Sequence, residues 1–109
     1  MRFEVLLTKD AVSDLEEIYE YIATHDSPRK AEGLLDRIEG VLANLSKSPN
    51  RGTRPKELFE VGIGEFRQVF FKPYRIIYRV IDSNGYVFLI ADGRRDMRSL
   101  LKRRLFAAD

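Results

Sequence analysis

The sequence has no cysteine and only one histidine, His25. The lack of cysteine excludes disulfide bonds, thiolate nucleophiles, cysteine-based zinc sites and iron–sulfur clusters. A single histidine cannot form a metal-binding pair, and Asp92 and Asp96 lack the spacing and apolar surroundings of a catalytic carboxylate dyad. We therefore expect no metal and no cofactor, and we interpret His25 as a capping residue at the end of a helix.

The sequence also lacks a long hydrophobic run. Its N-terminal apolar run covers only residues 5–7, which is too short for a signal peptide or a membrane span. We expect a cytoplasmic protein without a membrane partner. The 109 residues, of which 44% are hydrophobic, suit one domain, residues 1–109. Gly62-Ile63-Gly64 lacks the further glycine and the lysine of a phosphate-binding loop, so we expect a turn there.

The net charge is small, +2, but it is unevenly distributed. Residues 1–60 contain 9 basic and 12 acidic groups, whereas residues 61–109 contain 10 basic and 5 acidic groups. Like charges that add up on one surface attract an anionic partner, such as nucleic acid or an acidic protein segment. The alternative is a charged face that only contacts solvent.

Helical periodicity follows a short alternating strand at residues 3–7. Thr8 can cap a first amphipathic helix that runs to about His25. Ser27 can cap a second helix that starts at Pro28, where the missing amide hydrogen costs nothing. The apolar positions of the second helix recur in steps of three and four, up to the break at residues 48–50: Ala31, Leu34, Leu35, Ile38, Val41, Leu42 and Leu45.

The second half of the chain changes to a period of two. We interpret residues 49–58 as a loop, and predict strands at 66–72, 74–82 and 86–92. Asn84-Gly85 between the last two strands is the preferred pair for a type I′ turn, which needs positive φ at both positions.

A final helix is predicted after Gly93, with Asp96 as its cap. Its inner face holds Met97, Leu100, Leu101 and Leu105, and its outer face holds Arg98, Lys102, Arg103 and Arg104. The element order βααβββα predicts an α+β fold. In this fold a helical hairpin packs on a twisted, largely antiparallel four-stranded sheet, followed by a C-terminal helix.

Arg75 and Arg79 are candidate ligand-binding residues of the middle predicted strand. The even positions of this strand suit a core face: Tyr74, Ile76, Tyr78 and Val80. The two arginines share the odd face about 13 Å apart at strand rise, so they could bind two phosphates or carboxylates. The alternative is ion pairing across the sheet with an acidic residue: Glu65, Asp82 or Asp92.

The strand-to-helix junction, residues 92–98, is a second candidate site. Arg94, Arg95 and Arg98 lie beside the free N–H groups of a helix start, which favours an anion. Lys102 and Arg103 extend the basic run along the helix, together with Arg104. A solvated charged face is again the alternative.

Three local patterns resemble the ParE/RelE toxin superfamily along nearly the whole chain: AVSDLEEIYEYI from Ala11, YRIIYRV from Tyr74, and GRRDMRSLL from Gly93. The segment FRQVFFKPYRIIYRV, residues 66–80, is similar to adjoining strands of plasmid-stabilisation toxins in this group. The resemblance implies a type II toxin–antitoxin pair in which an antitoxin wraps the toxin and often represses the shared operon. Such pairs can join into higher assemblies.

The two branches of this superfamily imply different targets. RelE-like members cleave mRNA on the ribosome, and Arg75 and Arg95 match the phosphate-binding arginines of that branch. Its strand lysines are replaced here by Phe66 and Gln68, and its terminal-helix tyrosine by Leu101. Catalysis would then fall to residues without the usual spacing: Lys72, Tyr74 and His25.

ParE-like members resemble this sequence better, and they act on DNA gyrase by binding, without chemistry of their own, so that the cleaved complex of gyrase with DNA is trapped. This resemblance implies a growth-arresting gyrase inhibitor rather than an enzyme. The residues expected to bind the target are Arg75, Arg79, Arg94, Arg95, Arg98, Lys102 and Arg103. The ribonuclease is the second hypothesis, and a non-toxic basic module that binds nucleic acid or sequesters the antitoxin is the third.

Overall fold

The computed structural model describes residues 3–106. The predicted domain, 1–109, extends further, because residues 1–2 and 107–109 lie outside the described residues. The strands are β1 (Glu4–Leu7), β2 (Phe66–Phe71), β3 (Tyr74–Ile81) and β4 (Asn84–Asp92), and the helices are α1 (Lys9–His25), α2 (Pro28–Lys47), α3 (Lys56–Phe59) and α4 (Met97–Phe106). None of these helices combines the length and apolar character needed to cross a membrane.

The four strands form one sheet in the order β1-β4-β3-β2. β1 runs parallel to β4, and the other two pairs are antiparallel. The predicted α+β class and the largely antiparallel sheet are therefore confirmed. The structure adds one element, the short helix α3, to the predicted order.

Side-chain caps begin the three long helices as predicted. Thr8 Oγ1 accepts from the amide of Ala11 at 3.2 Å, and Ser27 Oγ accepts from the amide of Lys30 at 3.1 Å. Asp96 accepts from the amide of Ser99 at 3.2 Å. These oxygens satisfy N–H groups that have no carbonyl partner in the first turn of a helix.

Helices cover both faces of the sheet. The core between the sheet and the α1–α2 hairpin contains Ala11, Ile38, Leu45, Ile76, Tyr78, Val87 and Ile90. The core on the other face, which α3 and α4 cover, contains Leu58, Phe66, Ile77, Leu89, Ala91, Met97, Leu100 and Leu101. The neighbours Ile76 and Ile77 are both fully buried because they point to opposite faces. The odd face of β3, where we predicted Arg75 and Arg79, therefore also contains core.

A β-bulge interrupts β4 at Phe88. Ile77 pairs with Leu89 and Tyr78 pairs with Val87, so Phe88 is the extra residue. An extra residue shifts the alternation of side chains between the two faces. This shift explains why Val87 and Ile90, three positions apart, belong to the same core.

Two charged side chains cover the edge of β4 beyond the end of β1. Asp14 of α1 accepts from the amide of Ile90 at 3.0 Å, and Arg104 of α4 donates to the carbonyl oxygen of Phe88 at 2.7 Å. The two side chains also pair with each other at 2.8 Å. The prediction that Arg104 lies on the outer face of α4 was therefore wrong, since its side chain is only 18% exposed.

The turn between β3 and β4 differs from the prediction. It consists of Asp82 and Ser83, because Ile81 pairs directly with Asn84. Of the two turn residues only Asp82 has positive φ, 56°, which excludes type I′. Gly85 lies inside β4, where a Cβ atom would come within 2.8 Å of the Phe3 ring. Gly85 is thus required by close packing inside β4 rather than by the turn.

The segment predicted as a loop, residues 49–58, is ordered by contacts with the sheet. The Tyr78 hydroxyl donates to the Pro49 carbonyl at 2.8 Å and accepts from the Gly52 amide at 3.1 Å. Thr53 forms an antiparallel bridge with Gln68 of β2. The segment then enters α3, which has no side-chain cap and was not predicted.

The close approach at Gly52 predicts a loss of stability on substitution. A Cβ atom there would lie 2.6 Å from the Tyr78 hydroxyl and 2.7 Å from the Gln68 carbonyl oxygen. We expect Gly52→Ala to lower the free energy of unfolding by about 1–3 kcal/mol, as overpacking does. Urea denaturation measures the change.

Gly40→Ala is the matched control, because a Cβ atom in this part of α2 would meet nothing within 4 Å. It should raise the free energy of unfolding by about 0.5–1 kcal/mol, since alanine favours helix over glycine. Equal stability of Gly52→Ala and the unsubstituted protein would contradict the role given to Gly52.

Candidate functional site

Arg75 lies at the centre of a buried polar network. Its guanidinium donates two hydrogen bonds to the carboxylate of Glu57, at 2.9 and 2.8 Å. It also donates to Oε1 of Gln68 from Nε at 2.9 Å and from Nη2 at 2.6 Å. The side chains of Arg75 and Glu57 are each 11% exposed. Arg75 is thus ion-paired, and its partner comes from α3 rather than from the three acids considered above.

The ion pair strongly favours the charged form of Glu57. The hydrogen bond from Arg75 lowers the pKa of Glu57 from 4.5 to about 2, although burial acts in the opposite direction. Gly93 leaves room for the arginine, because a Cβ atom there would lie 3.0 Å from Cδ of Arg75. The glycine of the predicted junction therefore supports the network on β3.

An open cleft of about 400 Å³ lies over this network. Gln68, Arg75 and Glu57 line it together with three exposed cations, Arg54, Lys56 and Lys72, and with Phe70, Pro73, Tyr74 and Gly93. We refer to it as the basic cleft. Of its cations, Arg75 was predicted as a binding residue, and Lys72 was named only as a substitute catalytic residue of the ribonuclease hypothesis.

Arg79 lies on the same face of the sheet as Arg75 but makes a different contact. Its guanidinium carbon is 5.9 Å from the centroid of the Phe66 ring, in the range of a cation–π interaction. Phe66 belongs to the core under α3 and α4. Arg79 therefore extends the edge of this core and does not line the basic cleft.

The arginines of the junction differ in their contacts. Arg94 donates to Asp92 at 2.9 Å from both its amide and Nε, and these bonds hold the pKa of Asp92 at about 2. Arg95 is exposed, and its side chain forms no hydrogen bond or ion pair with any residue in 3–106. Arg95 lines a groove between α1 and the end of β4. Arg75 and Arg95 thus line different clefts.

The outer side of α4 presents three of the predicted cations. Arg98 pairs with Glu60 at 2.9 Å, and both side chains are exposed. Lys102 and Arg103 are exposed and form no ion pair within the described part of the chain. A cleft of about 290 Å³ separates α4 from α3, and its apolar walls are formed by Leu58, Val61, Leu101 and Phe106.

Three polar residues important for this architecture were missed at the sequence level: Glu57, Gln68 and Asp14. Glu57 was placed in a loop, Gln68 was only a position lacking a lysine, and Asp14 was not singled out in the first helix. Periodicity did not indicate them, because their hydrogen-bond partners are distant in sequence. Local sequence patterns therefore could not predict which residues these three side chains contact.

His25 ends α1 as predicted. Its Nδ1 lies 3.0 Å from the carbonyl oxygen of Tyr21, and the two rings stack with centroids 4.2 Å apart. A protonated Nδ1 donates to this carbonyl near the C-terminal end of the helix. Residues 3–106 contain no group of three histidine, cysteine or acidic residues that could hold a metal ion.

The family model of the ParE toxin of type II toxin–antitoxin systems, parDE, matches residues 5–97 of this chain. Toxin ParE3 of Caulobacter vibrioides is 26% identical over 100 residues, which cover 92% of this chain and 96% of that toxin.

Solved structures of toxin–antitoxin systems have a similar fold. A chain of the chromosomal ParDE system of P. aeruginosa has a TM-score of 0.69 at 20% identity and covers 83% of this chain and 95% of its own length. A chain of the RelBE2 complex of Mycobacterium tuberculosis has a TM-score of 0.59 at 19% identity, with coverage of 84% and 92%. A mutant of E. coli RelE in the free state has a TM-score of 0.56 at 17% identity, with coverage of 96% and 100%.

The lowered pKa of Glu57 predicts acid-sensitive stability. A carboxylate whose pKa falls on folding contributes fully above its ordinary value of 4.5 and loses this contribution as the pH falls towards about 2. The contribution amounts to about 3 kcal/mol. Urea denaturation between neutral pH and pH of about 2 should show this loss of stability. Glu57→Gln should remove the part of the pH dependence that Glu57 contributes.

Glu60→Gln is the matched control, because Glu60 also pairs with an arginine but at an exposed position. We expect Glu57→Gln to cost about 3–5 kcal/mol at neutral pH, since it leaves Arg75 buried without its counter-charge. Glu60→Gln should cost less than about 1 kcal/mol. Similar losses for both variants would show that the Glu57–Arg75 pair is not the stronger one.

Proposed function

Because the chain belongs to the ParE toxin family of type II toxin–antitoxin systems, we propose that it arrests growth by inhibiting DNA gyrase until a cognate antitoxin neutralises it. Residues 1–109 would form one toxin domain, which acts in the cytoplasm, where gyrase lies. One observation carries this choice of mechanism. Arg75 is neutralised inside the protein, whereas Arg95, Lys102 and Arg103 remain unpaired on the surface of the described part.

The buried network argues against RNA cleavage. A carboxylate with a pKa of about 2, such as Glu57, is a weak general base at neutral pH. The positions that lack the lysines and tyrosine of the ribonuclease branch hold buried residues: Phe66, Gln68 and Leu101. Gln68 accepts hydrogen bonds from Arg75, and the other two pack in the core. These three positions therefore serve stability and supply no acid–base pair for 2′-hydroxyl attack.

The exposed cations support a binding mechanism. Arg95 precedes α4, and Lys102 and Arg103 lie on its surface without a side-chain hydrogen bond or ion pair among residues 3–106. Unpaired surface cations increase the rate and affinity of association with an anionic partner. Arg94 and Arg98 contribute less, because Asp92 and Glu60 already compensate them. We propose that the free cations contact the gyrase–DNA complex.

The α3–α4 cleft suits the antitoxin. Val61 and Phe106 on its walls are exposed hydrophobic residues, and Arg98 and Lys102 lie on the same walls. An amphipathic acidic segment could bury the apolar pair and place carboxylates beside the cations. We propose that such a segment of the antitoxin occupies this cleft.

Purified toxin should inhibit gyrase supercoiling and increase the amount of cleaved DNA. The combined variant Arg95→Ala, Lys102→Ala, Arg103→Ala should lose most of this inhibition, at least about tenfold in the concentration needed (1.4 kcal/mol). The matched control is Arg29→Ala, Arg37→Ala, Lys47→Ala, which removes three exposed cations from α2. Supercoiling assays on plasmid DNA measure the effect.

If the unsubstituted toxin leaves gyrase unaffected, the gyrase proposal is wrong. Codon-positioned mRNA cleavage in a translating extract, lost with Arg95→Ala, would then establish the ribonuclease hypothesis. Normal growth on induction would instead favour the non-toxic nucleic-acid-binding or antitoxin-sequestering module.

Co-expression with the antitoxin should yield a complex that co-purifies with the tagged toxin. Val61→Asp together with Phe106→Asp should weaken this complex by at least about tenfold (1.4 kcal/mol), because it buries unpaired charges in the cleft. Val12→Asp, at an exposed hydrophobic position of α1, is the control. Equal affinity of the double variant and the control would place the antitoxin elsewhere.

A further inference from the structure

The basic cleft is the start of a cationic surface that extends around the edge of the sheet. Its walls contain four cations, Arg54, Lys56, Lys72 and Arg75, and one acid, Glu57, which Arg75 neutralises. A neighbouring cleft of about 310 Å³ adds Arg51 and no acidic residue. For comparison, the groove that contains Arg95 has three acids and two cations. The surplus of positive charge is therefore local.

Phe70 of β2 lies between these two clefts and lines both. Its side chain is 58% exposed, although Phe66 and Gln68 on the same face of the strand are buried. A single exposed hydrophobic residue is common and carries little information on its own. An exposed aromatic ring between two basic clefts is a more specific arrangement.

We propose that Phe70 is a stacking platform for an unpaired base, and that the basic cleft and its neighbour bind a single-stranded nucleic acid. Proteins that bind single strands combine an aromatic ring, on which a base stacks, with a positively charged groove that follows the phosphates. Arg54, Lys56 and Lys72 would contact phosphates on one side of the base, and Arg51 would contact them on the other.

A nucleic acid fits this surface better than a peptide helix does. A helix bound in a groove uses several apolar anchors three or four residues apart. Of the large hydrophobic residues lining the two clefts within 3–106, only Phe70 is exposed. A duplex fits poorly as well, because its bases are stacked inside the helix and cannot reach the ring.

The segment that carries the cations is held in place before any ligand binds. Arg54 donates to the carbonyl oxygen of Gly64. Thr53 and Gln68 exchange backbone hydrogen bonds of 3.0 and 2.7 Å, and Arg67 donates to the Gly52 carbonyl at 3.0 Å. Binding therefore requires little new ordering of the backbone, which lowers its entropic cost.

This site is separate from the cations proposed to contact gyrase. None of Arg95, Lys102 and Arg103 lines the basic cleft or its neighbour. The inference therefore does not rest on gyrase inhibition, and either one can fail without the other.

Fluorescence anisotropy with the full chain tests the proposal. The probes are labelled oligothymidylate and oligouridylate of about 12 nucleotides, and a duplex of the same length. Both single strands should bind more tightly than the duplex. Phe70→Ala should weaken single-strand binding by about 5- to 100-fold, the usual effect of losing one stacked base. Phe70→Trp should retain binding.

Phe59→Ala is the matched control, because Phe59 is 60% exposed but lines neither cleft. Its affinity should equal that of the unsubstituted protein. Phe70→Leu is a second variant in case Phe70→Ala fails to fold. It keeps an apolar side chain and removes only the aromatic face, so its affinity for the single strands should fall. Thermal unfolding of each variant shows whether its fold is intact.

The salt dependence tests the cations. Replacing Arg54, Lys56 and Lys72 by glutamine should reduce the slope of log K against log salt by about 2, at about 0.7 for each lost phosphate contact on a single strand. Tighter binding of oligouridylate than of oligothymidylate would indicate an additional contact with the 2′-hydroxyl. Equal binding of the two single strands would assign recognition to the base and the phosphates. Four outcomes would each overturn the proposal. Phe70→Leu could bind the single strands as tightly as the unsubstituted protein, or Phe59→Ala could lose as much affinity as Phe70→Ala. The duplex could bind more tightly than the single strands, or only an acidic peptide could displace the labelled single strand.

Discussion

The ion pair between Glu57 and Arg75 determines the arrangement of one side of the molecule. It joins α3 to β3 at a largely buried position, and Gln68 of β2 accepts two further hydrogen bonds from the guanidinium. The residue after Glu57, Leu58, packs in the same core as Leu101 of α4. The helix α3 has only four residues and no side-chain cap, so such tertiary contacts must stabilise it. A buried pair of this kind is costly to break, by about 3–5 kcal/mol.

The same pair also determines where positive charge remains in the basic cleft. Neutralisation of Arg75 at the floor of the basic cleft leaves the positive charge at the rim, on Arg54, Lys56 and Lys72. Rim cations can position a phosphate backbone. The cleft therefore keeps a positive charge that suits binding of a phosphate backbone.

Sequence patterns predicted the elements whose cause is local. The helix α2 followed from the Ser27 cap, Pro28 and an apolar stripe, all within one segment. The predictions that failed concern residues whose partners are distant in sequence. The helix α3 depends on contacts with β2 and β3. The side chain of Arg104 points inward because it binds the edge of β4 beyond the end of β1. The turn at Asp82 was missed because Gly85 is required by the Phe3 ring, which lies some eighty residues earlier in the sequence.

Charge counted along the sequence gave a similar mixture of success and failure. The excess of basic residues in the second half did predict the exposed cations Lys102 and Arg103. Two other arginines of this half form ion pairs with acidic residues of the first half: Arg75 with Glu57 and Arg104 with Asp14. The first half, which is acidic in total, contributes Arg51, Arg54 and Lys56 to the clefts beside Phe70. A partner responds to the charge that remains after internal pairing, and only the folded structure determines which cations remain.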